Sequence, residues 1–163
     1  MRGLHGAIGS GLLALITFVA LTTGCQPSDM RPGMWLSGEV EAGPVRDWSF
    51  SDAEEEILVE TRTWYGIPHS VTIWCASLDG DLYVAARSPD TKRWPGWVDR
   101  DPDVRLRIGE QIFEVRLAPV DDPGRLARLR SAYARKYGLP DPPPEGSPPI
   151  RYWSVERREK GAV

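Results

Sequence analysis

The sequence predicts a mainly β domain of the α+β class: a small, six-stranded, largely antiparallel barrel with a short N-terminal helix and one amphipathic helix near residues 123–137. Three observations predict it. Segments in which apolar and polar residues alternate recur from residue 57 to residue 118. Turn signals such as Asp79-Gly80 separate these segments. One long stretch, after residue 122, has the apolar spacing of a helix.

The N-terminal segment has the parts of an export signal. A short basic start precedes an apolar run from Leu12 to Leu21, and small residues follow it. The run is too short for a transmembrane helix, which needs about 20 residues to cross ~30 Å of hydrocarbon. The closing residues Leu21-Thr22-Thr23-Gly24-Cys25 resemble the lipobox of bacterial lipoproteins, with Leu one place earlier than that motif prefers. An ordinary cleaved signal peptide and an uncleaved anchor are the alternatives.

The lipobox resemblance implies a location and a domain plan. The chain is cut before Cys25, whose thiol takes up the lipid that holds the protein on the membrane. Gln26 stands where an inner-membrane retention signal has Asp, which implies export to the periplasmic face of the outer membrane. The chain then divides into a signal peptide (1–24), a lipidated tether rich in Pro and Gly (25–46), a barrel domain (47–157) and a C-terminal tail (158–163). Within the tether, Met34, Trp35 and Leu36 are expected to dock on the domain.

Composition disfavours nucleic-acid binding and favours a small flat ligand. The chain has 163 residues and a net charge of −3 at pH 7, so it offers no broad basic surface, and nucleic-acid binding is not expected. All seven Trp residues follow the signal peptide. Large aromatic rings fill a core or line a pocket, so this number favours binding of a small flat ligand.

Cysteine and histidine are too scarce for a metal site. Once Cys25 is acylated, Cys75 has no partner for a disulfide. It lies in an apolar run, which predicts a buried small side chain rather than a catalytic thiol. His69 is the one histidine after the signal peptide, so a zinc site is not expected and no metal ligand is assigned.

The elements follow the turn and periodicity signals in order. Ser51 and Glu54 form a capping-box pattern that predicts a short helix with a solvated, acidic first turn. Alternation predicts strands over residues 57–65, 70–76 and 82–87, then, after a loop or irregular helical turn at 88–98, a second hairpin over 104–108 and 111–118 and a sixth strand over 150–157. Pro123 begins the amphipathic helix and Gly138 ends it. Its other face is basic and suits either water or acidic phospholipid.

The order of several motifs carries a family resemblance. A strand, the turn Gly66-Ile67-Pro68-His69, a second strand, an Asp-Gly turn and a third strand ending Arg87-Ser88 follow one another, and a Lys-bearing segment, Asp101-Pro102-Asp103-Val104 and a hairpin come next. In this order they resemble the split β-barrel of the pyridoxamine 5′-phosphate oxidase-like flavin proteins. The resemblance covers roughly residues 51–120 and, more loosely, 150–155. Residues 82–88 and 92–97 resemble the branch that includes deazaflavin-dependent nitroreductases.

The resemblance implies a homodimer that binds FMN or a deazaflavin in the groove between its subunits. The positions that match the phosphate-holding residues are Arg87, Ser88, Thr91 and Lys92. Thr72 and Trp74 match positions along the cofactor ring, Trp94 or Trp97 is expected to cover the ring, and His69 either lies near the site or is a turn residue. Cations and hydroxyl donors on one loop suit a phosphate, although Arg87 and Lys92 are also acceptable as plain surface charges.

The implied activity is that of an oxidoreductase in which the flavin carries the hydride. No catalytic residue is assigned, and residues 69–74 lack the cationic pattern that the best-studied oxidases have on this strand, so pyridoxal compounds are not predicted substrates. The rival hypothesis is a non-enzymatic envelope module that binds a partner or a small ligand with the same barrel. A serine hydrolase is disfavoured because the chain has no Gly-x-Ser-x-Gly elbow.

Overall fold

Seven strands and two helices form residues 35–158, the part of the chain that the computed structural model describes. The strands are β1 (Glu39–Val40), β2 (Ile57–Arg62), β3 (Pro68–Leu78), β4 (Asp81–Arg87), β5 (Asp103–Ile108), β6 (Gln111–Pro119) and β7 (Ile150–Arg157). The helices are α1 (Trp94–Val98) and α2 (Pro123–Tyr137), and short 3-10 turns cover Ser49–Ala53 and Pro89–Thr91. The predicted signal peptide, Cys25, Gln26, Met34 and residues 159–163 lie outside the described residues.

Strands β2 to β7 close into an antiparallel barrel. The meander β2–β3–β4 continues to β7, β7 pairs with β6, β6 pairs with β5, and β5 returns to β2. The mainly β class and the six-stranded split barrel predicted from the sequence are therefore confirmed. Strand β1 is an addition outside the barrel and runs parallel to the start of β6.

The barrel interior is apolar and is filled by side chains from all six strands. Trp153 on β7 is fully buried, and its ring centroid lies 4.9 Å from that of Trp94. Cys75 on β3 is also fully buried there, as predicted. Because burying one large apolar side chain contributes about 1.5 to 3 kcal/mol, this interior is the main source of stability.

Each end of the barrel is closed by aromatic or apolar side chains. Helix α1 covers the end at which β2 and β4 finish, and we call this the α1 end. There, the Arg151 guanidinium binds both carboxylate oxygens of Asp99, at 2.6 and 3.0 Å. At the opposite end, Trp48 packs edge-on against Phe113, with ring centroids 5.1 Å apart. The interior is thereby shielded from water at both ends.

Helix α2 lies on the outer face of β3, β4 and β7, with the bounds predicted from the sequence. The Asp122 side chain accepts the Arg125 N–H at its start, and Gly138 ends it at φ +62°. Its apolar residues pack on the sheet, while several of its basic residues pair with acids of the domain: Arg128 with Asp79, Arg130 with Asp141 and Lys136 with Asp52. None of the helices within residues 35–158 combines the length and the apolar character needed to cross a bilayer.

Side chains complete one edge of β3, because this strand runs on beyond the start of β2. There, the Tyr137 hydroxyl accepts the N–H of Cys75 at 2.9 Å, and the Asp52 carboxylate accepts the N–H of Ser77 at 2.9 Å. Asp52 also accepts the Ser77 hydroxyl. Since backbone N–H groups need a partner when they are withdrawn from water, these contacts bind α2 and the first 3-10 turn to the barrel.

The capping box predicted at Ser51 and Glu54 is wrong. Residues Ser49–Ala53 form a 3-10 turn without a side-chain cap. Ser51 is fully buried, and its hydroxyl has no hydrogen-bond partner among the described residues. The physical reason is tertiary: Asp52 satisfies the free edge of β3, which holds the segment in a tight turn too short to become an α-helix.

Part of the predicted tether belongs to the domain. Leu36 is buried against Leu58 and Ile112, which confirms its predicted docking. Its N–H donates to the buried Glu60 carboxylate at 2.6 Å. Beyond it, β1 joins the sheet through two residue pairs, a strand too short to leave any alternation in the sequence.

The connection from β2 to β3 also differs from the prediction. Alternation predicted a strand as far as Tyr65, but β2 ends at Arg62 and a tight turn follows. The Thr63 hydroxyl donates to the Ile67 carbonyl at 2.6 Å, and the Gly66 N–H donates to the Thr63 carbonyl at 3.0 Å. Thr63 thus ends the strand by binding the backbone of the turn.

We expect Tyr137→Phe to lower the free energy of unfolding by about 1 to 3 kcal/mol, because it leaves the Cys75 N–H without a partner. Tyr65→Phe is the matched control, since Tyr65 is exposed and its hydroxyl has no hydrogen bond to residues 35–158. Urea unfolding followed by circular dichroism measures both variants. Equal midpoints for the two would contradict this role of Tyr137.

Candidate functional site

The α1 end of the barrel gathers most of the residues predicted to hold a cofactor. Strand β3 begins there, β4 ends there, and the connection from β4 to α1 crosses it. The predicted residues at this end are His69 near the start of β3, Arg87 at the end of β4, Ser88, Thr91 and Lys92 in the connection, and Trp97 in α1. Thr72 and Trp74 lie further along β3.

A tight turn at Ser88 organises the connection. Ser88 has φ +52° and ψ +59°, in the left-handed region that residues other than glycine rarely adopt. Its N–H donates to the Pro149 carbonyl at 2.8 Å. Its carbonyl accepts both the N–H of Thr91, at 3.0 Å, and the Thr91 hydroxyl, at 2.8 Å. The surrounding structure therefore fixes a strained residue, a feature that often accompanies functional sites.

Three cations flank this turn without a protein partner. Arg87, Lys92 and Arg93 are exposed, and their side chains make no hydrogen bond or ion pair with residues 35–158. The turn contains one acid, Asp90, and the carboxylate of Asp99 is already held by Arg151. The connection therefore carries a net positive charge, and its guanidinium and ammonium donors are available to an anion.

His69 lies beside this positive charge. Its ring is perpendicular to that of Trp97, with centroids 4.7 Å apart. Burial and, to a lesser degree, the charge of Arg93 lower the pKa of His69 below its usual value of 6.5. At neutral pH the imidazole is therefore uncharged and can both donate and accept a hydrogen bond.

The residues predicted to lie along a cofactor ring have different surroundings. Trp74 stacks on Tyr137 of α2, with centroids 4.5 Å apart and planes 13° apart, so one face of its indole is occupied. Thr72 is exposed. The β3–β4 register, continued two residue pairs beyond Trp74 and Ala85 toward the α1 end, places Thr72 opposite Arg87. Thr72 is thus the β3 residue nearest in register to the unpaired cations.

The two Trp residues predicted to cover the ring are also separated. Trp94 is 3% exposed and packs inside the barrel against Trp153. Trp97, one helical turn later in α1, is only half-buried. Trp97, rather than Trp94, therefore lies at the surface of the α1 end.

The donor set contains the kinds of group that a phosphate needs. A phosphate is bound by cations and hydrogen-bond donors, and the unpaired Arg87 and Lys92 stand on either side of the Ser88 turn. The Ser88 hydroxyl has no other partner among residues 35–158. Thr91 fits less well, because its hydroxyl hydrogen is already donated to the Ser88 carbonyl.

A concavity of about 650 Å³ lies away from the cationic residues, over β2, β5 and β6 beside the N-terminal segment. Glu60 in its wall is buried and accepts Arg105 Nη1 at 3.1 and 3.2 Å. The remaining guanidinium groups of this groove are also paired, Arg62 with Asp101 and Arg158 with Asp103. Because its guanidinium groups are all paired with carboxylates, this groove offers no free cation to an anionic ligand, and Leu36 docks in it.

Reactive metal or thiol chemistry has no support in the described residues. Between residues 35 and 158, no three His, Cys, Asp or Glu side chains are grouped to hold a metal ion. Burial raises the pKa of the Cys75 thiol, although Lys136 Nζ lies 3.5 Å from the sulfur. Cys75 is therefore a protonated core residue at neutral pH.

Sequence reasoning did not single out Arg93 or Tyr137 for the site. Arg93 follows Lys92 directly, and its exposed charge is what lowers the pKa of His69 together with burial. The helical spacing of Tyr137 with Leu126, Leu129 and Tyr133 predicts that it lies on the apolar face of α2. Nothing in the sequence indicates that its ring stacks on Trp74.

A family model described as "Uncharacterized protein conserved in bacteria (DUF2255)" matches residues 49–143, more than half of the chain. The protein belongs to the DUF2255 family. The matched range begins at the first 3-10 turn and ends beyond α2. It therefore contains all of residues 87–93, which we call the cationic turn. No curated protein matches this DUF2255 chain in sequence.

Solved structures show the same fold as this DUF2255 protein. Campylobacter jejuni ChuZ is similar, with a TM-score of 0.55 and 8% identity. The similarity covers 67% of this chain and 50% of the ChuZ chain, so this chain matches about half of the length of ChuZ. A conserved hypothetical protein of Mycobacterium tuberculosis has a TM-score of 0.52 and 19% identity, over 68% of this chain and 77% of that one. A protein of Bacteroides thetaiotaomicron, provisionally described as a 5-nitroimidazole antibiotic resistance protein, has a TM-score of 0.52 and 13% identity, over 73% and 82%. The split-barrel fold that the sequence resemblance implied is thus confirmed.

We expect the free energy of unfolding to fall more steeply in the wild type than in His69→Gln as the pH is lowered from about 7.5 to about 5.5. The folded-state pKa of His69 lies below the value of 6.5 for the unfolded chain, so the unfolded chain binds the proton first and acid favours unfolding. The two proteins should show their smallest difference in slope at the upper end of this range. Urea unfolding at a series of pH values measures this, and parallel curves throughout would contradict it.

Proposed function

We propose that this DUF2255 protein is a lipid-anchored envelope protein that binds FMN or a deazaflavin at the α1 end of its split barrel and acts as an oxidoreductase. In this proposal Arg87, Ser88 and Lys92 hold the cofactor phosphate. The cofactor ring extends toward Thr72. Trp97, His69 and the free face of Trp74 lie along the ring.

The observation that supports the proposal most strongly is the set of unpaired cations around Ser88. Some exposed arginines of the described residues have a carboxylate neighbour, as Arg62 and Arg128 do, whereas others, such as Arg100 and Arg135, have none. What distinguishes the cationic turn is that three unpaired cations lie within seven residues, around a strained backbone conformation. Positive charge held on a fixed turn is what a phosphate dianion requires.

A homodimer would complete the site. One chain offers Thr72, His69 and Trp97 toward the α1 end, but one face of Trp74 is covered by Tyr137. A second subunit packed beside β3 and β4 would supply the other wall of a groove for the ring. The resemblance to the pyridoxamine 5′-phosphate oxidase-like proteins supports this arrangement.

The chemistry in this proposal is divided between cofactor and protein. A bound flavin supplies hydride transfer, and the chain binds it, orients it and keeps water away. Arg87 and Lys92 neutralise the phosphate. His69, uncharged at neutral pH, offers one hydrogen bond to the ligand without adding a positive charge.

The envelope location follows from the N-terminal signal. Acyl chains on Cys25 would hold the protein with about 0.8 kcal/mol per buried methylene. A chain exported unfolded cannot carry a bound cofactor, so the barrel would acquire its flavin after folding on the periplasmic side. This order of events requires a site that forms without the cofactor, and the Ser88 turn is fixed by hydrogen bonds within the protein itself.

A binding module without catalysis is the second candidate. It is favoured by the packing of aromatic rings against each other at this end: Trp94 fills the barrel, and Trp74 is stacked on Tyr137. In this alternative the cationic turn would contact an anionic partner instead of a flavin phosphate.

We expect Lys92→Ala to weaken binding of FMN or a deazaflavin by about tenfold or more, because one charge-assisted hydrogen bond to phosphate contributes roughly 1.5 to 3 kcal/mol. Titration followed by Trp fluorescence and by cofactor absorbance measures the dissociation constant. Arg135→Ala is the matched control: it removes an exposed cation without a protein partner from α2, away from the turn. Equal weakening in both variants, or no binding of either cofactor by the wild type, would overturn the flavin site in favour of the binding module.

We expect the mature protein to begin at Cys25 with the added mass of its acyl chains, and to remain in the membrane fraction after cell lysis. Cys25→Ala should abolish both the added mass and the processing. Cys75→Ala is the matched control, since this thiol is buried in the barrel and should not affect acylation. A wild-type protein of unmodified mass would contradict the lipid anchor and leave the flavin proposal unaffected.

A further inference from the structure

The turn between β2 and β3 exposes three large apolar side chains. Trp64, Tyr65 and Ile67 are 75%, 51% and 59% exposed. The rings of Trp64 and Tyr65 lie perpendicular to each other, with centroids 5.2 Å apart. Single apolar residues are common on protein surfaces, but three within four positions of one turn form a patch that marks an interaction site.

The backbone holds this patch in a fixed shape. The Thr63 hydroxyl and the Thr63 N–H both donate to the Ile67 carbonyl, at 2.6 and 3.4 Å. Gly66 has φ +81°, which residues with a Cβ rarely adopt. The side chains therefore project from an ordered turn, and binding through them requires little further ordering of the chain.

The N-terminal segment reaches the domain beside this turn. Trp35, the first described residue, is 66% exposed. It lines the same groove as Arg62 and Gly66, which belong to the end of β2 and to the turn. Cys25 precedes Trp35 by about ten residues, which span at most ~35 Å when extended. A lipid on Cys25 would therefore hold a bilayer within reach of the exposed turn.

The chemistry of the turn suits the interface of a bilayer. Tryptophan and tyrosine favour the headgroup region, where an apolar ring and a polar N–H or O–H are both accommodated. The segment from residue 61 to residue 78 contains no acidic residue, and Arg62 is its one lysine or arginine. Nothing in the turn would be repelled by anionic phospholipid.

We propose that the Trp64–Ile67 turn inserts into the lipid headgroup region of the membrane that holds acylated Cys25. This inference rests on the lipid anchor proposed above. A second copy of the chain is a weaker occupant, because a stable protein interface buries about 1,200 Å² or more in total and a four-residue turn supplies little of that area. With the tether and the turn as two attachments, the domain is held with its β2–β3 turn toward the bilayer.

The test uses the full chain, purified from membranes in detergent and reconstituted into vesicles of phosphatidylethanolamine and phosphatidylglycerol. Half of the samples carry brominated acyl chains, which quench nearby tryptophan. We expect brominated vesicles to quench the wild-type fluorescence and Trp64→Phe to lose most of that quenching. Trp48→Phe is the matched control, because Trp48 packs at the opposite end of the barrel and its loss should leave the quenching unchanged.

Two results would overturn the inference: no quenching in the wild type, or equal quenching in Trp64→Phe. The intact mass of the same preparation reports acylation of Cys25 independently. An acylated chain without Trp64 quenching refutes insertion of the turn and leaves the anchor in place. Trp64-dependent quenching in an unmodified chain supports insertion and refutes the anchor.

Discussion

The pairing of β6 with β7 is the constraint on which the rest of the structure depends. Five residue pairs, from Val115–Arg157 to Pro119–Trp153, join the last strand to the second hairpin, and β7 pairs with β4 on its other side. Without this contact the six strands would be an open sheet with two exposed edges, a form prone to association. Closure also places the Trp153 ring in the middle of the interior, where it meets Trp94. The apolar core and the position of α1 therefore both follow from the closing strand.

Closure also positions the candidate site. Pro149 directly precedes β7, and its carbonyl accepts the Ser88 N–H. The cationic turn is therefore held by the start of the closing strand. On the far side of α1, the Arg151 side chain of β7 binds Asp99 and removes the carboxylate that would otherwise be available to the cations. Asp90 is then the one acid left in the turn, against the three cations Arg87, Lys92 and Arg93. The positive charge of this end is thus a consequence of how the barrel is closed.

The sequence predicted what depends on local patterns and missed what depends on tertiary partners. Turn signals and alternation placed the six barrel strands, and Pro123 and Gly138 bounded α2 correctly. Ser51 and Glu54 formed a convincing capping box, yet Asp52 is held by the unpaired edge of β3, which no local pattern reveals. The full burial of Trp94 and the partial burial of Trp97, three positions apart, also depend on where the barrel interior lies. The two-residue strand β1 was hidden because two residues carry no periodicity.

The family match and the barrel do not have the same boundary. The DUF2255 model covers residues 49–143, whereas the barrel is closed by residues 150–157. The requirements on β7 are mostly backbone requirements: it must pair on both edges and bury one large ring, and many sequences satisfy these. The cationic turn lies inside the matched range, and the proposed site depends on the specific side chains of Arg87, Ser88 and Lys92. A structural element supplied from outside the matched range therefore fixes a site whose chemistry lies within it, which is why the site is recognisable only when sequence and closed barrel are considered together.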